Sequence, residues 1–141
     1  MGTVGLYVDA SALLRRVLGQ PGAVVPLRDY PSKISSALIE VEVCRALDRL
    51  RRANELSEEE LVNAREAIYH ALGSLELIEL TPTILERAAA PLPTPLRTID
   101  AIQLATLLAW RDASDSDVAL ATHDRRFAIA GRAVGLRVVG D

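Results

Sequence analysis

Near the start of the chain lies the stretch VGLYVDAS, residues 4–11, in which five uncharged residues lead directly into an aspartate. A short apolar run that is rich in β-branched and aromatic residues predicts a buried strand, here residues 4–8. The later stretch VALATHD, residues 118–124, has the same organisation and predicts a strand over 118–121 with an aspartate shortly after it. Buried apolar strands of this kind are typical of a parallel sheet.

Helical patterns separate these strands through most of the chain. Ser57 and Glu60 form a capping box, and Thr81 caps a helix that has Pro82 at its first position. Three further strands are predicted at 33–35, 76–80 and 136–139, and the other predicted helices are 11–18, 21–28, 36–52, 57–73, 98–112 and 124–131. Residues 91–95, with three prolines, must form a loop. The alternation predicts an α/β fold with a mainly parallel central sheet and helices on both faces.

Length and composition predict a single domain over residues 1–141. Cys44 is the only cysteine, so no internal disulfide is possible. No secretory leader opens the sequence, and no apolar run is long enough to span a bilayer. We therefore expect a cytoplasmic protein that does not associate with membranes.

The net charge of −3 does not by itself indicate a nucleic-acid-binding protein. However, Lys33 is the only lysine among the 16 basic residues, and the arginines cluster at 15–16, 45–52 and 125–126. The planar guanidinium group suits phosphate recognition. For any single arginine, a solvated helix surface is the preferred explanation.

Four acids are expected to meet at the carboxyl edge of the sheet. Asp9 and Asp124 each follow a predicted strand, and ligands of parallel sheets bind at that edge. Asp100 and Glu42 lie near the beginnings of predicted helices, which start at the same edge. Clustered carboxylates repel one another unless a cation neutralises them, and Mg²⁺ prefers oxygen ligands.

Each acid also has a simpler interpretation. Asp9 can be a helix cap, and Asp100 a favourable charge near a helix N-terminus. Asp117 competes with Asp124 for the fourth place if the strand boundaries shift. Glu42 competes with Glu40, and helical spacing agrees with the choice of Glu42. The predicted helix 36–52 has apolar residues at positions 38, 41, 46 and 50. Position 38 lies four residues before Glu42 and therefore on the same face of the helix, which favours Glu42 over Glu40 as the inward acid.

These residues carry a resemblance to a known family. The chain resembles the PIN-domain toxins of the VapC type in four segments that occur in the same order and with compatible spacing. They are YVDASAL at 7–13, SAL at 36–38 followed by Glu42 and Val43, LRTIDAIQLA at 96–105, and ATHDRRF at 121–127 with GLRVV at 135–139.

The resemblance implies a PIN fold and endonucleolytic cleavage of RNA that depends on Mg²⁺, with Mn²⁺ as a plausible substitute. It implies a cognate antitoxin, a homodimer and contact with operator DNA only through the antitoxin. The metal-site and catalytic acids carried over are Asp9, Glu42, Asp100 and Asp124. Ser11 and Thr122 match positions whose hydroxyls support the first and the fourth acid. Gln103 stands where the family often has histidine, and we expect no catalytic consequence; the proline-rich loop before Asp100 is a second departure.

Other functions remain open at this point. A haloacid-dehalogenase-like phosphotransferase needs a second acid two residues after its first aspartate, where this chain has Ser11. A receiver domain needs a late lysine, and Lys33 is too early. Two alternatives to a ribonuclease stay open. One is a PIN-like nuclease that acts on DNA, and the other is a PIN-like domain that only binds RNA or protein.

Overall fold

The computed structural model describes residues 5–22 and 27–140. They form a five-stranded sheet in the order β3-β2-β1-β4-β5, and every adjacent pair of strands is parallel. The strands are β1 (Gly5–Val8), β2 (Ser32–Ser36), β3 (Glu76–Ile78), β4 (Val118–Ala121) and β5 (Arg137–Val139). The helices are α1 (Ala10–Val17), α2 (Ile39–Arg52), α3 (Glu58–Leu72), α4 (Pro82–Ala89), α5 (Thr98–Ser114) and α6 (Arg125–Ala133). The predicted α/β fold is confirmed.

The two central strands alternate their side chains between two apolar cores. In β1, Leu6 and Val8 pack with α1, α2 and α3 on one face of the sheet. Tyr7 points to the opposite face, where it packs with α5 and α6. Successive side chains of a strand point to opposite faces, so one short strand supports both layers of helices. Helices therefore cover both faces, as predicted.

Several predicted boundaries are confirmed. Strand β4 has the predicted limits, and the capping box of Ser57 and Glu60 begins α3. The hydroxyl of Thr81 accepts a hydrogen bond from the backbone N–H of Ile84 and caps α4. Residue 4 of the first predicted strand and residues 23–26 of the predicted helix 21–28 lie outside the described residues. The end of that segment forms a 3-10 turn, Leu27–Asp29.

The prediction for helix 36–52 was wrong at its start and in its orientation. Ser36 ends β2, and α2 begins at Ile39. The buried side chains of α2 are those of Ile39, Val43 and Leu47, whereas Val41 is 58% exposed. Serines are uncommon in strand interiors, but Ser35 is fully buried here because its hydroxyl donates to the carbonyl oxygen of Val8 at 2.7 Å.

The close packing of α6 against β4 depends on Gly131. A Cβ atom at this position would lie 2.9 Å from the side chain of Leu120. The absence of a side chain lets the helix approach the sheet, and α6 begins directly after Asp124. Among the residues that the structure describes, no helix combines the length and apolar character needed to cross a membrane.

Candidate active site

The carboxyl ends of β1 and β4 form the centre of the candidate site. The two strands pair in parallel with Val8 opposite Ala121, so Asp9 and the segment that leads to Asp124 leave the sheet side by side. The chain passes from β1 to β2 on one side and later places β4 on the other side of β1. Such a switch point opens a crevice at the carboxyl edge of a parallel sheet.

The competing acid Asp117 lies at the opposite edge. It immediately precedes β4, and its carbonyl oxygen accepts a hydrogen bond from the N–H of Gly5 at the start of β1. Because β1 and β4 are parallel, their starting residues share the edge that is remote from Asp9. The structure therefore brings Asp124 to Asp9 and does not bring Asp117 there.

Asp9 is a buried carboxylate held by two hydroxyl groups. Only 5% of the residue is exposed, and its Oδ2 atom accepts hydrogen bonds from Ser11 Oγ at 2.7 Å and Thr122 Oγ1 at 2.8 Å. The hydroxyls are fixed in turn by backbone N–H groups, from His123 to Ser11 at 2.9 Å and from Asp124 to Thr122 at 3.0 Å. Both predicted supporting hydroxyls thus contact Asp9, and Thr122 reaches only the backbone of Asp124.

The side chain of Asp124, and not that of Asp9, caps the N-terminus of a helix. Asp9 occupies the N-cap position of α1 without a capping hydrogen bond from its side chain. By contrast, Oδ1 of Asp124 accepts from the backbone N–H groups of Arg126 at 2.9 Å and Phe127 at 3.3 Å, at the start of α6. A cap of this kind fixes the orientation of the Asp124 carboxylate beside Asp9.

Asp100 and Glu42 reach the site from helices on opposite faces of the sheet. Glu42 lies in the first turn of α2, which starts three residues after β2 ends. Asp100 lies in the first turn of α5, which follows α4 and the proline-rich loop and does not follow a strand. Asp100 reaches the site for another reason. Because α5 leads into the start of β4, the C-terminal end of α5 must lie at the edge of the sheet opposite the site. The start of α5 is therefore at the site.

Gln103 belongs to the site although the sequence analysis assigned it no consequence. It is fully buried, accepts a hydrogen bond from the hydroxyl of Tyr7 and donates one from Nε2 to Oε1 of Glu42. The available signal was its place on α5, three residues after Asp100 and surrounded by apolar residues. A polar residue on a buried helix face requires partners.

The carboxylates disturb one another's ionisation. Burial and the charges of Asp9 and Asp100 raise the pKa of Glu42 to about 7, although the hydrogen bond from Gln103 lowers it. Burial and the charges of Asp124 and Asp9 raise the pKa of Asp100 to about 6. The pKa of Asp9 is also raised, mainly by burial and in small part by Asp124, against the hydrogen bonds from Ser11 and Thr122. The acids are therefore close enough to make their joint ionisation unfavourable.

Three of the four acids face a cleft of about 750 Å³ between α1, α2 and the start of α5, and Asp9 is buried beneath it. Glu42, Asp100 and Asp124 line it together with exposed apolar side chains, among them Val41 and Ile99. The cleft also contains arginines from two helix regions, namely Arg45 and Arg49 of α2 and Arg97 at the N-cap of α5. One opening thus combines an acidic floor with a basic rim, a charge pattern that suits a cation together with a phosphate.

The donor set fits a hard divalent cation, but the side chains do not converge on one point. Carboxylate oxygens are the ligands that Mg²⁺ and Mn²⁺ prefer. Within residues 5–22 and 27–140, no three His, Cys, Asp or Glu side chains are close enough as placed to hold one ion.

Comparison with known proteins identifies the class. Residues 6–133 match the PIN domain family, and the chain belongs to that family. Ribonuclease VapC46 from Mycobacterium tuberculosis (strain ATCC 25618 / H37Rv) is 35% identical over 137 residues, which is 95% of this chain and 95% of that protein. The resemblance to VapC-type PIN-domain toxins is thereby confirmed.

The fold has a solved counterpart. The crystal structure of PAE2754 from Pyrobaculum aerophilum superimposes with a TM-score of 0.65 and covers 96% of this chain and 84% of that chain. With 21% sequence identity, this likeness concerns the fold alone. It confirms the PIN-like architecture of the sheet and its helices.

Proposed function

We propose that this protein is a Mg²⁺-dependent endoribonuclease and the toxin of a toxin–antitoxin pair. The proposal is carried by one observation: four acids from different parts of the chain lie at one sheet edge, where burial and the charges of neighbouring acids raise the pKa values of Asp9, Glu42 and Asp100. Membership in the PIN domain family and the similarity to a VapC ribonuclease support RNA as the substrate. We treat residues 1–141 as one such domain.

Asp9, Glu42, Asp100 and Asp124 would hold the cation. When bound, such an ion would supply Lewis-acid chemistry: a lower pKa for a water in the site and compensation for the charge that develops on the phosphate during hydrolysis. Asp9 is suited to a fixed ligand position because two hydroxyls restrict its carboxylate.

The arginines of the cleft would bind the RNA backbone. Arg45, Arg49 and Arg97 line the same opening as Glu42, Asp100 and Asp124. Guanidinium groups bind phosphate through two parallel hydrogen bonds, which orients the phosphodiester relative to the acids. This arrangement compensates locally for the net negative charge of the chain.

The same cleft is the proposed contact for a cognate antitoxin. Its acidic floor would accept a basic side chain in place of the cation, and exposed Val41 and Ile99 would pack against apolar residues of the partner. A structure of the complex in which the cleft stays unfilled would contradict this. Following the family resemblance, we also propose a cytoplasmic homodimer that contacts operator DNA only through the antitoxin.

The activity is tested with purified protein and structured RNA, with and without Mg²⁺, and with single-stranded DNA of the same sequence. We expect cleavage of RNA that a chelator stops. The variants D9N and D100N remove one charge each, and we expect each to lose at least about 100-fold in rate, because even outer partners of metal ligands are worth about 10- to 100-fold.

The matched control is D115N, the same chemical change at an exposed aspartate outside the site. Asp115 adopts φ 48°, a left-handed conformation that asparagine accepts readily. Its activity should equal that of the unmodified protein. Equal cleavage by D9N, D100N and D115N would show that the acids are wrongly assigned, and preferential cleavage of DNA would replace the proposed substrate.

A further inference from the structure

Gln103 connects two parts of the site that the chain keeps far apart in sequence. It is fully buried in α5, between Tyr7 of the central strand β1 and Glu42 of α2. A side-chain amide has a donor end and an acceptor end, so its orientation matters. Both ends of Gln103 are engaged in the core behind the cleft.

The orientation of the amide follows from the chemistry of its neighbours. In the form that binds a cation, Glu42 is an ionised carboxylate that only accepts hydrogen bonds, so the Nε2 end must face Glu42. The Oε1 end must then face Tyr7, whose hydroxyl can act as its donor. Tyr7 is itself fully buried, so water does not compete for its hydrogen bond to Gln103. The three side chains form a directed chain that ends on a carboxylate of the candidate site.

Helix geometry links this chain to a second acid. Asp100 and Gln103 are three residues apart on α5 and therefore share one face of that helix. Asp100 faces the cleft, and Gln103 lies one turn deeper and contacts Glu42. Gln103 therefore links Glu42 to the helix that carries Asp100, although the two acids come from helices on opposite faces of the sheet.

We propose that Gln103 is a positioning residue that sets the direction of the Glu42 carboxylate for metal binding, with Tyr7 fixing the amide. This inference rests on the metal site proposed above. Packing alone does not explain the residue, since a methionine of similar length would fill the same space without burying an amide. Partners of metal ligands orient those ligands and tune their affinity.

The test is Mn²⁺ binding to the purified protein, measured by electron paramagnetic resonance and by calorimetry. Gln103→Met removes both hydrogen bonds and should weaken Mn²⁺ binding by about 10- to 100-fold. Gln103→His should recover most of the affinity, because a neutral imidazole accepts at one ring nitrogen and donates from the other. Tyr7→Phe should have a smaller effect in the same direction, since it leaves the contact to Glu42 in place.

Gln20→Met is the matched control, because Gln20 is exposed and outside the site. It should bind Mn²⁺ as the unmodified protein does. If Gln103→Met does not fold, Gln103→Asn replaces it, since the shorter amide cannot reach both partners. Unchanged Mn²⁺ affinity in the folded Gln103 variant, alongside lost affinity in D9N, would overturn the positioning role and leave the proposed function intact. Absence of Mn²⁺ binding in the unmodified protein, or unchanged binding in D9N, would overturn the metal site and this inference with it.

Discussion

The two halves of the acid cluster are fixed by different means. On one side, Asp9 lies between β1 and β4 and accepts hydrogen bonds from the hydroxyls of Ser11 and Thr122. Ser11 is two residues after Asp9, and Thr122 is two residues before Asp124. On the other side, Glu42 depends on Gln103, which comes from a different helix and a distant part of the sequence. The first arrangement repeats a local motif, whereas the second exists only after the two layers of helices have packed on the sheet.

This difference indicates where each half is vulnerable. The Asp9 half is a network of hydroxyl and backbone groups that follows directly from strand pairing. Loss of one hydroxyl leaves a buried carboxylate with one donor fewer. The Glu42 half is partly exposed at the cleft, so it tolerates displacement with less cost to folding. Stability and activity should therefore respond differently to changes in the two halves.

The largest effect is expected in the Asp9 half. Thr122→Val removes a hydrogen bond to a buried carboxylate and should lower the free energy of unfolding by about 1–3 kcal/mol. Since this hydroxyl lowers the pKa of Asp9, its loss should raise that pKa further and weaken Mg²⁺ binding. Urea denaturation and Mg²⁺ titration of cleavage measure the two effects.

Thr106→Val provides the comparison for that variant. Thr106 is also fully buried, but its hydroxyl bonds to the carbonyl oxygen of Ile102 within α5. We expect its substitution to affect stability without changing the Mg²⁺ requirement. A Mg²⁺ requirement that moves equally in both variants would mean that the hydroxyl of Thr122 has no special relation to Asp9.

A smaller effect is expected from pH on the metal-free protein. The pKa of Glu42 is raised to about 7 and that of Asp100 to about 6, so the folded state holds protons that the unfolded state releases near pH 4 to 5. Stability should then be greatest below that range and fall as the pH rises to 7. After allowance for solvent screening of half-buried groups, we expect a loss of about 1 kcal/mol.

Thermal unfolding between pH 4.5 and 7.5, with and without Mg²⁺, measures this effect. Mg²⁺ should restore the stability near neutral pH, and D100N should reduce the pH dependence because it removes one of the titrating groups. A metal-free protein that becomes more stable from pH 5 to 7 would show that burial and neighbouring charges do not raise the pKa values of Glu42 and Asp100 in solution.

The sequence was sufficient for the fold and for most of the site. Strand β4 and the capped start of α3 follow from local patterns, and Asp9 and Asp124 follow from their places after strands. These features depend on short-range chemistry that neighbouring residues encode. The four segments that resemble PIN-domain toxins then select Glu42 and Asp100 as the other two acids of the site, a choice that the predicted topology alone leaves open.

The parts that were missed depend on tertiary contacts. Ser36 was assigned to a helix because a buried serine in a strand is recognisable only once its surroundings are known. Val41 was counted among the apolar positions of α2, but it faces the cleft and not the core. Gln103 was treated as a neutral replacement because its two partners are distant in sequence. In each case the deciding neighbour comes from another element.

We expect acids from four elements to share one divalent cation at the carboxyl edge of the sheet. A crystal structure of the protein grown with Mn²⁺, with anomalous scattering used to locate the ion, tests this expectation. We expect an anomalous peak bonded to Asp9 and to at least one of Glu42, Asp100 and Asp124. An ion bound elsewhere, or fully loaded crystals in which these acids remain apart, would show that the four acids do not form one metal site.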